Sequence, residues 1–388
     1  IGGGRKKPNG TLDVALILEA ALPEDMAGPY REQLTKLRDS APPMPTQTVR
    51  DTLARDLGPD WAEQLVWLDG GPTASASIGQ VHKGRWHDGR EVAVKVQYPG
   101  AGDALRADLR QLARLARTIG PLFPGIDIKP LVEEVQARAE DELDYFLEAE
   151  AQRAFAAVFK DDPSIVVPDV VAVGEAVLIT EWLDSTSSLA KIITEGTVEE
   201  RNHYGELLVR FLFEGPSRTG MLHADPHPGN FRIIPAEDGG TGRLGVLDYG
   251  AVARLPDGRF PDEMGTLIRL TALADTAPLM AEMRRGGFIK DKVKVDADLL
   301  VDYLSPLVGP TMVPRFKFTR EWMRAQFARI NNPKEPGYTI AIKLNLPPSY
   351  MLIHRTWMGG IGVLSQLEAE VPFNEILTEH LPGFATPA

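Results

Sequence analysis

The chain contains no cysteine. That excludes disulfides, thiolate metal centres and thiol nucleophiles, and it suits a reducing, cytosolic setting. No apolar run approaches the ~18 residues of a membrane span; the candidate VAVGEAVLITEWL is interrupted by Glu175 and Glu181. Basic residues are in deficit. With 42 Lys and Arg against 54 Asp and Glu, the formal net charge is −12 at pH 7. A surface this acidic argues against nucleic acid as a partner and leaves only a local basic patch for an anionic bilayer. The basic lead IGGGRKKPNG has no apolar core behind it long enough for a signal peptide, and Ile1 in place of an initiator Met is expected of a fragment or a processed chain. What is present is globular: 388 residues, 43% apolar and 25% charged, enough for two domains with a sizeable core.

Periodicity divides the chain. Residues 11–40 carry a helical pattern that APPMP at 41–45 breaks. TVRDTLARDLG reads as a helix stopped by Gly58. In EVAVKVQ the period becomes two, with Val92, Val94 and Val96 on one face and Ala93, Lys95 and Gln97 on the other. Helical patterns cover 103–118 and 129–159. VVPDVVAVGEAVLITEWL reads as two strands around a Gly-Glu turn. Beyond a hinge near 183–190 the chain is mostly helical, with strand-like FRII and RLGVLDYG inserted. The pattern predicts an α+β fold in three parts: a helical extension over 1–60, a strand-rich lobe with inserted helices over 61–185, and a helical lobe over 186–388.

Chemistry concentrates in a few short stretches. TASASIGQVHKG places Ala74, Ser75, Ala76 and Ser77 where a small-residue loop brings backbone N–H groups close to phosphate; taken singly it is an ordinary hairpin turn. Lys95 shares a strand face with Ala93, opposite three valines, and reads either as a snorkelling edge lysine or as a phosphate-binding one. A buried lysine needs a carboxylate partner. The stripe Leu131, Val135, Ala139, Glu142, Phe146, Ala149 along 129–159 offers Glu142, while Asp144 and Glu148 lie on another face and read as contacts to metal or water. In HADPHPGN the prolines at 226 and 228 forbid a continuous helix. The rigid loop therefore presents Asp225 and Asn230 in the H-x-D-x-x-x-x-N spacing of phosphoryl-transfer catalysts. Zinc on His223 and His227 is a weaker alternative, because no third ligand is evident. Asp248 in VLDYG ends an apolar strand, where a hard carboxylate suits Mg2+. The order of these elements matches the kinase signature set.

The stretches TASASIGQVHKG, EVAVKVQYPG, DELDYFLEAEAQR, GMLHADPHPGN and VLDYG resemble the AarF/UbiB/ADCK family of atypical kinases over roughly residues 20 to 260. The resemblance implies a protein kinase-like two-lobe fold and ATP with Mg2+ as cofactors. It implies that Lys95 contacts the α/β-phosphates and pairs with Glu142, and that Asp225 takes the catalytic-loop role. Asn230 and Asp248 would hold the metal. Ala74 to Ser77 and Ala93 would contact the nucleotide, with Glu181, Trp182 and Leu183 as the hinge against adenine. The implied partners are a nucleotide, isoprenoid lipid or quinone-pathway proteins, and peripheral membrane contact. One feature departs from the family. Its K-x-G-Q motif should stand at Gly10–Asp13 and is missing there, which puts the family's self-occlusion of the site in doubt.

Three functions compete on these residues. The first is an Mg2+–ATP-dependent atypical kinase or ATPase supporting quinone or isoprenoid-lipid metabolism, the lipid link coming from the resemblance. The second is a nucleotide-gated regulatory scaffold with little phosphoryl transfer, which the stiff ASAS loop favours. The third is a small-molecule kinase of the aminoglycoside or choline type, disfavoured by the same loop. No A-P-E sequence follows VLDYG, which argues against an ordinary protein kinase.

Overall fold

Val92, Val94 and Val96 are each fully buried, and the strand they occupy is the centre of the first sheet. In the computed structural model, which describes residues 43–76, 78–119, 125–236, 240–332 and 334–385, strands β1 (Leu65–Leu68), β2 (Ala74–Ser75), β3 (Gly79–Trp86), β4 (Glu91–Gln97), β6 (Val170–Val173) and β7 (Val177–Glu181) form one antiparallel sheet. Its order is β1-β3-β4-β7-β6, with β2 paired to β3. β-Branched residues at every second position, all on the buried face, explain why EVAVKVQ extends. Its register sets Lys95 opposite Val81 on one side and Leu178 on the other, so Lys95 lies within the sheet and not at its edge. Gly79 is required where β3 meets β4: a Cβ there would lie 2.2 Å from the Val96 carbonyl oxygen. The valine face packs on the Thr46–Leu57 helix through Val49 and Leu53. That helix stops at Gly58, whose φ of +91° favours glycine.

The chain forms two compact units. Of the described residues, one holds those up to Ala116, Val135–Arg153 and Pro168–Trp182; the other holds those of Arg117–Glu134, Ala154–Val167 and from Leu183 onward. The second is mainly helical, with a four-stranded sheet of order β5-β11-β10-β8 and a two-stranded ribbon β9–β12. These strands are β5 (Ile165–Val166), β8 (Ser187–Ser188), β9 (Met221–His223), β10 (Phe231–Ile234), β11 (Arg243–Val246) and β12 (Val252–Arg254). The helix Val198–Thr219 opens with a capping box of Thr197 and Glu200 and closes on Gly220 in the left-handed region. The apolar stretch around Trp357 is a core helix, Met351–Leu367. Among the described residues no helix is long and apolar enough to cross a membrane.

Two sequence readings need correction. The helical pattern over 129–159 is not one helix. It breaks at Leu143 and Asp144 into Ile128–Glu142 and Tyr145–Phe159, because the Asp144 carboxylate accepts the Phe146 and Leu147 N–H groups and starts a new helix. The break resets the phase of the inward stripe. Phe146 is 51% exposed, and Tyr145, Glu148, Ala149 and Gln152 face inward instead. The readings over 11–40 and at Gly10–Asp13, and that of Ser77, lie outside the described residues.

Candidate functional site

The first unit carries a buried ion pair. Lys95 Nζ donates to both carboxylate oxygens of Glu148, at 2.9 and 3.0 Å. The Glu148 side chain is 3% exposed and that of Lys95 14%. Both charges have left water, and each is matched by the other in two bonds, which is the condition for tolerating a buried pair. The Tyr145 ring lies 5.2 Å from the Lys95 ammonium and adds a cation–π contact. Glu148 is therefore a carboxylate partner of Lys95, one that the sequence pattern, which expects Glu142, does not name. Glu142 ends the preceding helix, half-buried.

The small-residue loop is a β-hairpin: Ala74 pairs with Val81 and Ser75 with Gln80. The Ala76 N–H donates to the Gly79 carbonyl at 2.9 Å, so in this conformation that donor is committed within the hairpin. Ala93 lies in β4 between Lys83 and Thr180. Glu181 ends β7, and its carboxylate accepts from Arg90 and from the Asp169 N–H. The Trp182 N–H donates to the Glu91 carbonyl, and the changeover between the two units falls between Trp182 and Leu183.

The second unit gathers Asp225, Asn230 and Asp248. Ribbon β9–β12 pairs His223 with Val252, and the Ala224 N–H donates to the Ala251 carbonyl. That pairing lays the loop after β9 beside the loop before β12. Pro226 and Pro228 then turn the chain through a 3-10 turn, Pro228–Asn230. The Leu247 N–H donates to the Asn230 carbonyl at 2.8 Å, bringing Asp248 next to Asn230. Asn230 Nδ2 donates to Asp225 Oδ2 at 2.7 Å, and Arg355 Nη2 donates to Asp225 Oδ1 at 3.2 Å. Asp248 takes a φ of +62°, in the left-handed region that aspartate tolerates better than most side chains. Its carboxylate accepts the Gly250 N–H.

His223 is buried among Phe211, Phe231 and Tyr249, with ring centroids 5.3 to 6.0 Å away. Its Nε2 bonds to the Asp248 carbonyl at 2.9 Å, which assigns the proton to Nε2. Nδ1 is buried with no hydrogen-bond partner among the described residues. Burial pushes its pKa below the ordinary imidazole value of 6.5, against the pull of the Asp225 carboxylate and the Asp248 carbonyl. His227 accepts the Gly229 N–H through Nδ1. The two rings thus have separate structural tasks. Among the described residues no group of three His, Asp or Glu side chains is arranged to hold a metal, so the zinc alternative has no support.

The ABC1 atypical kinase-like domain family matches residues 36–281. The chain belongs to this family. Its fold is accordingly kinase-like, with an antiparallel sheet in the first unit and helices in the second. Among solved structures it is similar to the Mycobacterium tuberculosis protein Rv3197 in complex with erythromycin. The identity is 41%, covering 96% of this chain and 92% of that one, with a TM-score of 0.73. Among curated proteins it is 30% identical to "Atypical kinase coq-8, mitochondrial" of Caenorhabditis elegans, over 90% of this chain and 46% of the relative. It is 29% identical to "Atypical kinase COQ8, mitochondrial" of Saccharomyces cerevisiae, over 60% of this chain and 45% of the relative. The chain spans less than half the length of these two curated relatives.

Sequence reasoning missed Arg355, and it gave Glu148 a contact to metal or water and not the one to Lys95. Each left a signal. Asp144 is a helix-starting residue inside a helical pattern, and counting from it places Glu148 one turn in, beside Ala149. Arg355 is a lone cation in the apolar run MLIHRTWMGGIGVL, and such a cation needs an acid.

Proposed function

We propose that the chain binds Mg2+–ATP and acts as an atypical kinase or ATPase in support of quinone or isoprenoid-lipid metabolism. The observation that carries the nucleotide reading is the convergence of Asp225, Asn230 and Asp248 through the Leu247–Asn230 backbone bond. The donor set fits the metal. Asn230 has its amide nitrogen turned to Asp225, and its amide oxygen with the Asp248 carboxylate supplies hard oxygen ligands of the kind Mg2+ takes. Bound there, the ion would neutralise phosphate charge. Asp225 would orient the oxygen that receives the phosphoryl group. Lys95, held by Glu148, would meet the α- and β-phosphates, and Ala74 to Ala76 with Ala93 would line the nucleotide. Glu181 to Leu183 would lie against adenine. The lipid link rests on the resemblance to the AarF/UbiB/ADCK family. Peripheral membrane contact, isoprenoid lipid and quinone-pathway proteins enter as partners on the same ground.

One observation favours the nucleotide-gated scaffold as a second reading. The Ala76 N–H, a donor that a phosphate would use, is committed to Gly79. A single experiment separates the two. Mg2+–ATP or Mg2+–ADP at ~100 times its dissociation constant should add about 2.7 kcal/mol of stability, and Lys95→Ala should remove most of it. Phosphate release that Asp225→Asn abolishes identifies the enzyme; binding without release identifies the scaffold. A melting temperature indifferent to nucleotide would remove both.

A further inference from the structure

We infer that Arg355 is a positioning residue for Asp225, delivered to the loop by the docking of the Met351–Leu367 helix on Pro226. The two oxygens of the Asp225 carboxylate are held from two distant parts of the chain. Asn230, five residues on, donates to Oδ2, and Arg355, 130 residues on, donates to Oδ1. A guanidinium that is 31% exposed could touch a carboxylate in passing. The packing one turn further along argues otherwise. Gly359 lies four residues after Arg355, on the same helical face, and a Cβ there would lie 2.6 Å from Pro226 Cγ. Real Cβ atoms do not approach that closely, and a proline ring has little room to yield. The helix therefore abuts the loop at the residue beside Asp225, and this contact fixes how far Arg355 must reach. Other faces of the helix are anchored by Ile353, Ile361 and Leu364, all buried, so neither the helix nor the loop can drift without repacking.

Arg355 lies beyond the 36–281 segment that matches the family. The last part of the chain thus supplies a contact to the site's central carboxylate. A carboxylate that orients an attacking oxygen acts through angle as much as charge. Bonds to both of its oxygens fix the carboxylate plane, where the Asn230 bond by itself leaves it free to swing. The consequence for turnover rests on the kinase or ATPase reading above; the positional claim does not.

The test uses the full chain with Arg355→Met, Arg355→Lys, Gly359→Ala and the double variant Arg355→Met/Gly359→Ala. Hydrogen exchange is followed without nucleotide in peptides covering 221–231. Alongside it run the affinity for Mg2+–ADP and the single-turnover rate of phosphate release from Mg2+–ATP. Arg355→Met and Gly359→Ala should both speed exchange in the loop and slow the single turnover by about 10- to 100-fold, with ADP affinity kept within about twofold. Lysine should recover part of both losses, because it restores a cation without the planar fork. The double variant should be no slower than the worse single variant, since both break one contact. Unchanged loop exchange in Arg355→Met, additive losses, or a faster turnover would overturn the proposal. If the wild-type chain releases no phosphate while exchange still rises together in both single variants, the positioning role stands and the enzymatic reading falls.

Discussion

His223 donates its Nε2–H to the main-chain carbonyl of Asp248 at 2.9 Å, joining residues 25 apart in sequence. The bond satisfies the carbonyl of a residue whose φ is +62°, and so helps hold Asp248 in a conformation that few side chains adopt. Replacing His223 by Leu leaves that carbonyl without its donor, at a cost of about 1–3 kcal/mol. The same ring makes stability depend on pH. Its folded pKa lies below the ordinary 6.5, so the unfolded chain binds the proton first as pH falls. The contribution is complete above about 6.5 and is lost as pH drops from there towards the lowered folded value. The difference in melting temperature between wild type and His223→Gln, followed from pH 8 to pH 5 in metal-free buffer, should therefore shrink on acidification. A constant difference would mean that the ring is not the titrating group.

Glu148→Gln should be far more damaging than Glu142→Gln. Removing one partner of a buried ion pair is costly, and such losses run to about 3–5 kcal/mol. Chemical denaturation of the two variants gives the comparison, and the Mg2+–ADP affinity should follow the same ranking. Equal effects would mean that Glu142 matters to Lys95 as much as Glu148 does.

Asp248→Asn tests the metal reading. Asparagine also tolerates the left-handed region, so the backbone should survive the change. Nucleotide binding in Mg2+ should weaken, while binding in EDTA should change little. Parallel loss in both buffers would make Asp248 a structural residue.

Ala76→Gly tests the hairpin. Glycine widens the backbone choices next to the Ala76–Gly79 bond, at a local stability cost of up to about 1 kcal/mol. The ratio of ATP to ADP affinity should change and single-turnover phosphate transfer should rise, with the circular dichroism spectrum unchanged. If neither moves, loop stiffness does not restrain the chemistry.

Much of the site was legible in order along the chain. The valine alternation, the small-residue hairpin, the proline-bound Asp225 and Asn230, and the aspartate before glycine are all short-range patterns, fixed by dihedral preference and side-chain alternation within a few residues. Strands β4, β10 and β11 and the β6–β7 hairpin fall where the pattern places them.

What the sequence could not decide is pairing across distance. Glu142 and Glu148 are both acids near an apolar helical face, and the burial of Glu148 against Lys95 turned on a helix break at Asp144, whose side chain accepts the Phe146 and Leu147 N–H groups. For His223 zinc stays open as a weaker alternative until the aromatic residues around it and the Asp248 carbonyl are known. Arg355 belongs to no motif. It reaches Asp225 because Gly359 lets a helix meet Pro226. Local pattern therefore named the residues of the candidate site and their order. Long-range packing decided which charges they meet, because the desolvation that makes a partner necessary exists only once the chain has folded.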